Sequence, residues 1–203
     1  MDENVREMVT DIRTYNDFVE PYQTANSIVK AHLEGLQKDL ERNIGHKAIH
    51  SIKDRIKKPG SILEKLERKN MNPDFDTAKE NLTDIAGIRV TCYYIKDVYE
   101  VADILKKQLD AILVKESDYI ANPKPNGYRS LHLILGVAVY GAYSKEYYPV
   151  EIQLRTLAMD FWASMEHQLC YKSERNDKQI LSGQLKDYSN MLNQMEAELE
   201  DFY

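Results

Sequence analysis

Asp84, in Asp-Ile-Ala-Gly-Ile-Arg-Val (84–90), and Glu151, in Glu-Ile-Gln-Leu-Arg (151–155), are two carboxylates at predicted strands. Such a pair on neighbouring strands suits Mg²⁺ that also takes substrate phosphates. A basic run complements it. Residues 53–69 hold seven Lys/Arg against three Asp/Glu, a local +4 in a chain of net charge −6. Lys53, Arg55, Lys57 and Lys58 precede a helix opened by Pro59-Gly60, on which Ser61, Lys65 and Arg68 share a face. The N–H groups of a helix N-terminus, with Arg and Lys beside them, suit phosphate oxygens. A bare cluster of this kind is more often a solvated face. Arg89 falls on the polar side of its strand, where a guanidinium stacks on a base or pairs with a carboxylate. Asn126-Gly127-Tyr128-Arg129-Ser130-Leu131-His132 places an aromatic ring where a turn-rich loop meets a strand. One Tyr among 14 carries little weight alone. In 151–155, Glu151, Gln153 and Arg155 alternate to one face, opposite Ile152 and Leu154. Together these groups form a template for phosphoryl-type transfer.

The usual nucleotide signatures are missing. No GxxxxGK[ST] and no GxGxxG occurs, so the chain has neither a P-loop nor a dinucleotide-binding fingerprint. HExxH and GxSxG are also absent. His46 and His50 have no third ligand nearby, which favours a surface or capping role over metal.

The elements that must position these groups follow from periodicity. Residues 1–44 read as helix, with a break or first-turn position at Pro21 and a C-cap at Gly45. A short strand covers 49–57, and a helix runs from Pro59-Gly60 through Lys69 to a stop at Asn72-Pro73. Ile88, Val90, Cys92 and Tyr94 alternate as a half-buried strand. Asp97 opens a helix to about Leu109 through a capping box with Glu100. Strands follow at 111–115, 130–140 and 147–155, the last two as a hairpin. Thr156 caps a helix to about Tyr171. Leu181, Leu185, Tyr188, Leu192, Met195 and Leu199 form a heptad stripe on a final helix. The fold class is α+β: a mixed sheet of about five strands packed by helices, with helical extensions at both ends.

Five segments in order, Arg-Ile-Lys-Lys-Pro-Gly-Ser-Ile-Leu-Glu-Lys-Leu-Glu-Arg-Lys (55–69), 84–90, Pro-Lys-Pro-Asn-Gly-Tyr-Arg-Ser-Leu-His (123–132), Glu-Ile-Gln-Leu-Arg-Thr (151–156) and Ala-Met-Asp-Phe-Trp-Ala-Ser-Met-Glu-His (158–167), resemble the (p)ppGpp synthetase domain of the RelA/SpoT family. The wording at 123–132 and 158–164 leans to its RelP-like, small stand-alone branch. The resemblance implies a nucleotidyltransferase-like domain over 45–173, an N-terminal helical extension (1–44) and a C-terminal amphipathic helix (174–203). It implies transfer of the β,γ-pyrophosphate of ATP to the 3′-hydroxyl of GDP or GTP, in a stress response. Asp84 and Glu151 would be the Mg²⁺ carboxylates, with Glu151 activating the hydroxyl. Arg55, Lys57, Ser61 and Lys65 would hold the ATP phosphates, and Arg68 and Arg89 would sandwich adenine. Tyr128 would stack on guanine, with Asn126, Lys124, His132, Gln153 and Arg155 lining the acceptor side. A homotetramer built through the terminal helices is also implied. Two alternatives stand beside this: a related pyrophosphokinase acting on tRNA 3′ ends, and a catalytically silent nucleotide sensor.

Composition bounds the same picture. At 203 residues, the chain suits one domain with extensions. Two distant cysteines, Cys92 and Cys170, make no disulfide scaffold and point to a reducing cytoplasm. No leader-like or membrane-spanning stretch is read. The acidity is uneven: residues 174–203 carry seven Asp/Glu against three Lys/Arg. Net charge therefore argues against long nucleic acid and leaves a small Mg²⁺–nucleotide as the fitting partner.

Overall fold

Helix α1 (Ile12–Ile44) sets its apolar residues three or four apart, and Val19, Tyr22, Ala25, Val29, Leu33, Leu36 and Leu40 are all buried. The structure, a computed structural model, describes residues 12–171 and 178–202. The expected helix over 1–11 lies outside them. Pro21 does not break α1, contrary to the sequence reading, because it lies inside a continuous helix. Its missing N–H costs about 3 kcal/mol. The neighbouring burial of Val19 and Tyr22 offsets that, at roughly 1.5–3 kcal/mol per large side chain. Gly45, at φ +75°, ends the helix in the left-handed conformation.

Five strands follow: β1 (Ile49–Ile56), β2 (Ala86–Cys92), β3 (Ala111–Asp118), β4 (Leu131–Tyr140) and β5 (Lys145–Thr156). Their order is β1-β2-β5-β4-β3, antiparallel except for the parallel pair β2–β5. Between β1 and β2 lie α2 (Pro59–Arg68) and α3 (Phe75–Asn81). The sequence reading missed α3; it is short and capped by Asp74, which accepts from the Thr77 N–H at 2.6 Å. Helix α4 (Ile95–Gln108) starts two residues before the expected capping box. Asp97 is its third residue, not its cap, and accepts from the Tyr94 N–H at 3.1 Å. Helix α5 (Leu157–Glu166) is capped as expected, the Met159 N–H donating to Thr156 Oγ1 at 3.3 Å, and passes into a π-helical turn (His167–Tyr171).

One core joins α1 and α4 to the sheet through Ile88, Val90, Leu131, Leu133, Ile152 and Leu154. The last helix, α6 (Lys178–Glu200), buries Leu185 and Ser189, while Tyr188, Met191, Met195 and Leu199 of its apolar residues stay exposed. No described helix is long and apolar enough to cross a membrane.

Candidate active site

Strand alternation puts the polar residues of four strands on one face. Arg55 of β1 pairs with Gly87 of β2, which pairs with Glu151 of β5. One step along, Lys53 pairs with Arg89, Arg89 with Gln153, and Gln153 with His132 of β4. Lys53, Arg55, Gly87, Arg89, Glu151 and Gln153 line one cleft. Gly87 leaves its floor open: a side chain there would meet Arg55 at 3.8 Å and the Glu151 carbonyl at 3.7 Å.

Asp84 stands at the edge of this face, just before β2. Its Oδ2 receives Lys57 Nζ at 2.8 Å and Lys65 Nζ at 2.7 Å, with the side chain 12% exposed. Burial pushes the carboxyl up, but the two ammonium groups outweigh it and hold it below the usual carboxylate range. Lys57 is anchored by its own N–H, which donates to the Ile85 carbonyl at 2.8 Å. Lys65 reaches over from α2, whose Ile62, Leu63 and Leu66 are buried. Asp84 Oδ1 is buried and has no hydrogen-bond partner. An orphaned carboxylate oxygen is costly to bury and suits a cation. Among the described residues no group of three or more acidic, His or Cys side chains could hold a metal ion. Asp84 is near enough for its charge to raise the Glu151 carboxyl, and two such carboxylates suit a divalent metal completed by phosphate and water.

Glu151 Oε2 accepts from Gln153 Nε2 at 3.0 Å, and Oε1 lies 3.6 Å from His132 Nδ1. Burial raises this carboxyl and Asp84 adds to that, yet His132 and Gln153 bring the net shift down. Beneath them Arg155 is buried. It donates to Tyr128 Oη at 2.6 Å, Gln153 Oε1 at 3.1 Å and Ser130 Oγ at 3.4 Å. Asp160, in the first turn of α5, lies 3.3 Å from both Arg155 Nη1 and Arg89 Nη1. Burial and then the neighbouring charge of Arg155 lower the pKa of Arg89.

The loop before β4 carries Tyr128. Its N–H donates to Asn126 Oδ1 at 3.1 Å, and Asn126 Nδ2 donates to Glu166 Oε1 at 3.4 Å. Lys124 Nζ lies 4.6 Å from the Tyr119 ring centre and 4.8 Å from that of Tyr128. Gly127 has φ +92°, and its carbonyl accepts from Ser189 Oγ at 2.6 Å. Arg129 donates to Asn193 Oδ1 at 2.6 Å, and the Trp162 indole N–H to the Leu185 carbonyl at 2.6 Å. Helix α6 thus clasps the loop and α5 together.

The structure brings together Arg55, Lys57, Lys65, Asp84, Arg89, Lys124, Asn126, Tyr128, His132, Glu151, Gln153 and Arg155. Ser61 and Arg68 lie exposed on α2, and no hydrogen bond or ion pair joins either to the cleft. Sequence reasoning gave no role to Asp160, Tyr119 or Glu166. Asp160 had one signal, an acidic residue four positions after the helix cap Thr156.

Residues 54–176 match the family described as the region found in RelA / SpoT proteins. The chain is 43% identical over 155 residues to the GTP pyrophosphokinase YwaC of Bacillus subtilis, covering 76% of this chain and 74% of that one. It superimposes on small alarmone synthetase 1 of B. subtilis bound to its product pppGpp with TM-score 0.84 at 33% identity, covering 94% and 96% of the two chains. For small alarmone synthetase 2 of B. subtilis the TM-score is 0.79 at 36% identity, covering 93% and 96%. Motif order, sheet topology and these likenesses agree, and the chain belongs to the RelA/SpoT family.

Proposed function

We propose that this chain transfers the β,γ-pyrophosphate of ATP to the 3′-hydroxyl of GDP or GTP, giving AMP and ppGpp or pppGpp, as an alarmone synthetase of the stress response. The observation that carries the reading is the position of Glu151. It lies on one sheet face between the cationic group Arg55, Lys57, Lys65 and Arg89 and the aromatic group around Tyr128. The named activities of YwaC and of the small alarmone synthetases support it.

In this account the acceptor 3′-oxygen attacks the β-phosphorus of ATP, and the bond from that phosphorus to the α-phosphate oxygen breaks. Glu151 takes the hydroxyl proton, and AMP leaves. Lys57 and Lys65, which pair with Asp84, donate to the ATP phosphates with Arg55 and Ser61. Arg89 and Arg68 hold adenine, and Tyr128 offers its ring to guanine. Asn126, Lys124, His132 and Gln153 shape the acceptor side. Asp84 and Glu151 would hold Mg²⁺, which neutralises charge on the transferring phosphates when bound. No covalent intermediate is needed; positioning and electrostatics suffice.

We place the protein in the cytoplasm, as a homotetramer joined through its terminal helices. The exposed apolar groove between Tyr94, Leu157, Phe161, Met195, Leu199 and Phe202 supports a self-contact. Light scattering of the full chain reads this directly, and a monomer at micromolar concentration would contradict it.

The function is tested with Mg²⁺, γ-labelled ATP and GDP, GTP or deacylated tRNA, with products resolved by anion exchange. Label should appear on the guanine nucleotides. Label confined to tRNA, or no transfer at all, would overturn the reading.

A further inference from the structure

The buried Arg155 is the root of two chains of polar contacts: one ends in a hydrogen bond on Glu151 Oε2, and the other ends with His132 facing Oε1. Its Nη2 donates to Tyr128 Oη at 2.6 Å and to Gln153 Oε1 at 3.1 Å. Tyr128 Oη lies 2.8 Å from His132 Nε2, and His132 Nδ1 lies 3.6 Å from Glu151 Oε1. Gln153 Nε2 lies 3.0 Å from Glu151 Oε2.

A guanidinium can only donate. Gln153 must therefore present its carbonyl oxygen to Arg155, which turns its amide N–H toward Glu151. Tyr128 Oη accepts from Arg155, so its own proton is free for His132 Nε2. In that arrangement Nε2 accepts and the ring carries its proton on Nδ1, facing Glu151. Both chains run the same way, from the arginine to the carboxylate.

Arg155 is itself fixed from behind by Asp160 at 3.3 Å and by Ser130 Oγ at 3.4 Å. At 4% exposure it is buried, at the wall of a pocket it shares with Arg55, Arg89, Tyr128 and Gln153. We infer that Arg155 is a positioning residue for Glu151: through Gln153 it fixes a donor on one carboxylate oxygen, and through Tyr128 it holds His132 facing the other. This rests on the reading of Glu151 as the group that activates the acceptor hydroxyl. It adds a second duty for Tyr128, whose ring faces the acceptor base while its hydroxyl orients His132. Groups that orient a reacting group from behind typically cost ten- to a hundredfold in activity when removed.

The test separates ring from hydroxyl. Tyr128→Phe keeps the stacking face and removes the hydroxyl link. We expect kcat to fall roughly tenfold or more while the KM for GDP and for ATP stays within about twofold. The tautomer gives a readout that a merely structural role would not move. In ¹⁵N-edited NMR of the full chain without added nucleotide, His132, assigned by loss of its signal in His132→Gln, should carry a proton on Nδ1. It should shift toward Nε2–H in Tyr128→Phe. A native His132 with no proton on Nδ1 overturns the inference. So does Tyr128→Phe with unchanged kcat, or one whose only loss is in acceptor KM. Failure of the underlying reading looks different: Glu151→Gln would keep its turnover whatever the tautomer of His132.

Discussion

Replacing Glu151 by Gln is expected to lower kcat by about 10²–10⁴-fold, the range for removing a general base, and to leave a folded protein. The two side chains have nearly the same shape, so the cleft and the β5 register persist. What changes is the ability to take a proton. Glu151 receives Gln153 Nε2 at 3.0 Å and faces His132 Nδ1 at 3.6 Å. An amide there cannot accept at both oxygens, because one has become a donor. One contact therefore turns unfavourable, at a cost of about 1–3 kcal/mol. Kinetics should show the loss in kcat, and circular dichroism should show native secondary structure with a modestly lowered Tm. Native turnover in Glu151→Gln would remove this residue from the chemistry.

The second large effect is at Gly127, 24 residues before Glu151 in sequence. Gly127 has φ +92°, and a Cβ on it would lie 2.9 Å from Lys186 Cα and 2.9 Å from Ser189 Cβ in α6. One of those atoms is backbone, so the collision cannot be relieved by rotating a side chain. The left-handed conformation adds about 1–2 kcal/mol for any residue with a Cβ. Gly127→Val should therefore push the loop off α6, breaking Ser189–Gly127 and Arg129–Asn193 and displacing Tyr128. We expect the acceptor KM to rise at least tenfold, with affinity for a non-hydrolysable ATP analogue within about twofold, because the Lys57–Asp84–Lys65 cluster is built on other elements. A total loss of about 2–4 kcal/mol in stability should accompany it. Native acceptor kinetics in Gly127→Val would show that α6 does not hold the acceptor loop.

The two predictions divide the molecule as the sequence did, but only part of that division was legible. Alternation of Ile152 and Leu154 with Glu151, Gln153 and Arg155 announced both a strand and its polar face. The same logic placed Arg89 beside it. That the two strands are parallel neighbours, so that Gly87 faces Glu151, depends on the chain path and has no local signal. Local rules also misled. Pro21 reads as a break, yet packing around Val19 and Tyr22 carries the helix through it. Asp97 reads as a cap, but serves the Tyr94 N–H from inside the first turn. Helix α3 was hidden because seven residues give too little periodicity.

The site was legible as residue types more than as contacts. Periodicity put Arg155 on the polar face and could not show that it is buried there. Its tie to Ser130 spans 25 residues and its tie to Tyr128 spans 27. The clasp of α6 on the acceptor loop was equally invisible, since Ser189 and Gly127 are 62 residues apart. The unusual backbone at Gly127 could be foreseen from its type; the helix that forbids a Cβ there could not. The stripe on α6 predicted a helix, and its burial divides: Leu185 faces the chain's own core while Met195 and Leu199 face out.

The central claim is that Glu151 governs pyrophosphoryl transfer from ATP to a guanine nucleotide. The most direct measurement is the stoichiometry of products from ATP labelled at both the α- and γ-phosphates, with GDP and Mg²⁺, for the native chain and Glu151→Gln in parallel. We predict one AMP for each ppGpp formed, with the γ-label in ppGpp and the α-label in AMP, and both products formed at least about a hundredfold more slowly in the variant. ADP in place of AMP, or equal product from the two proteins, would contradict it.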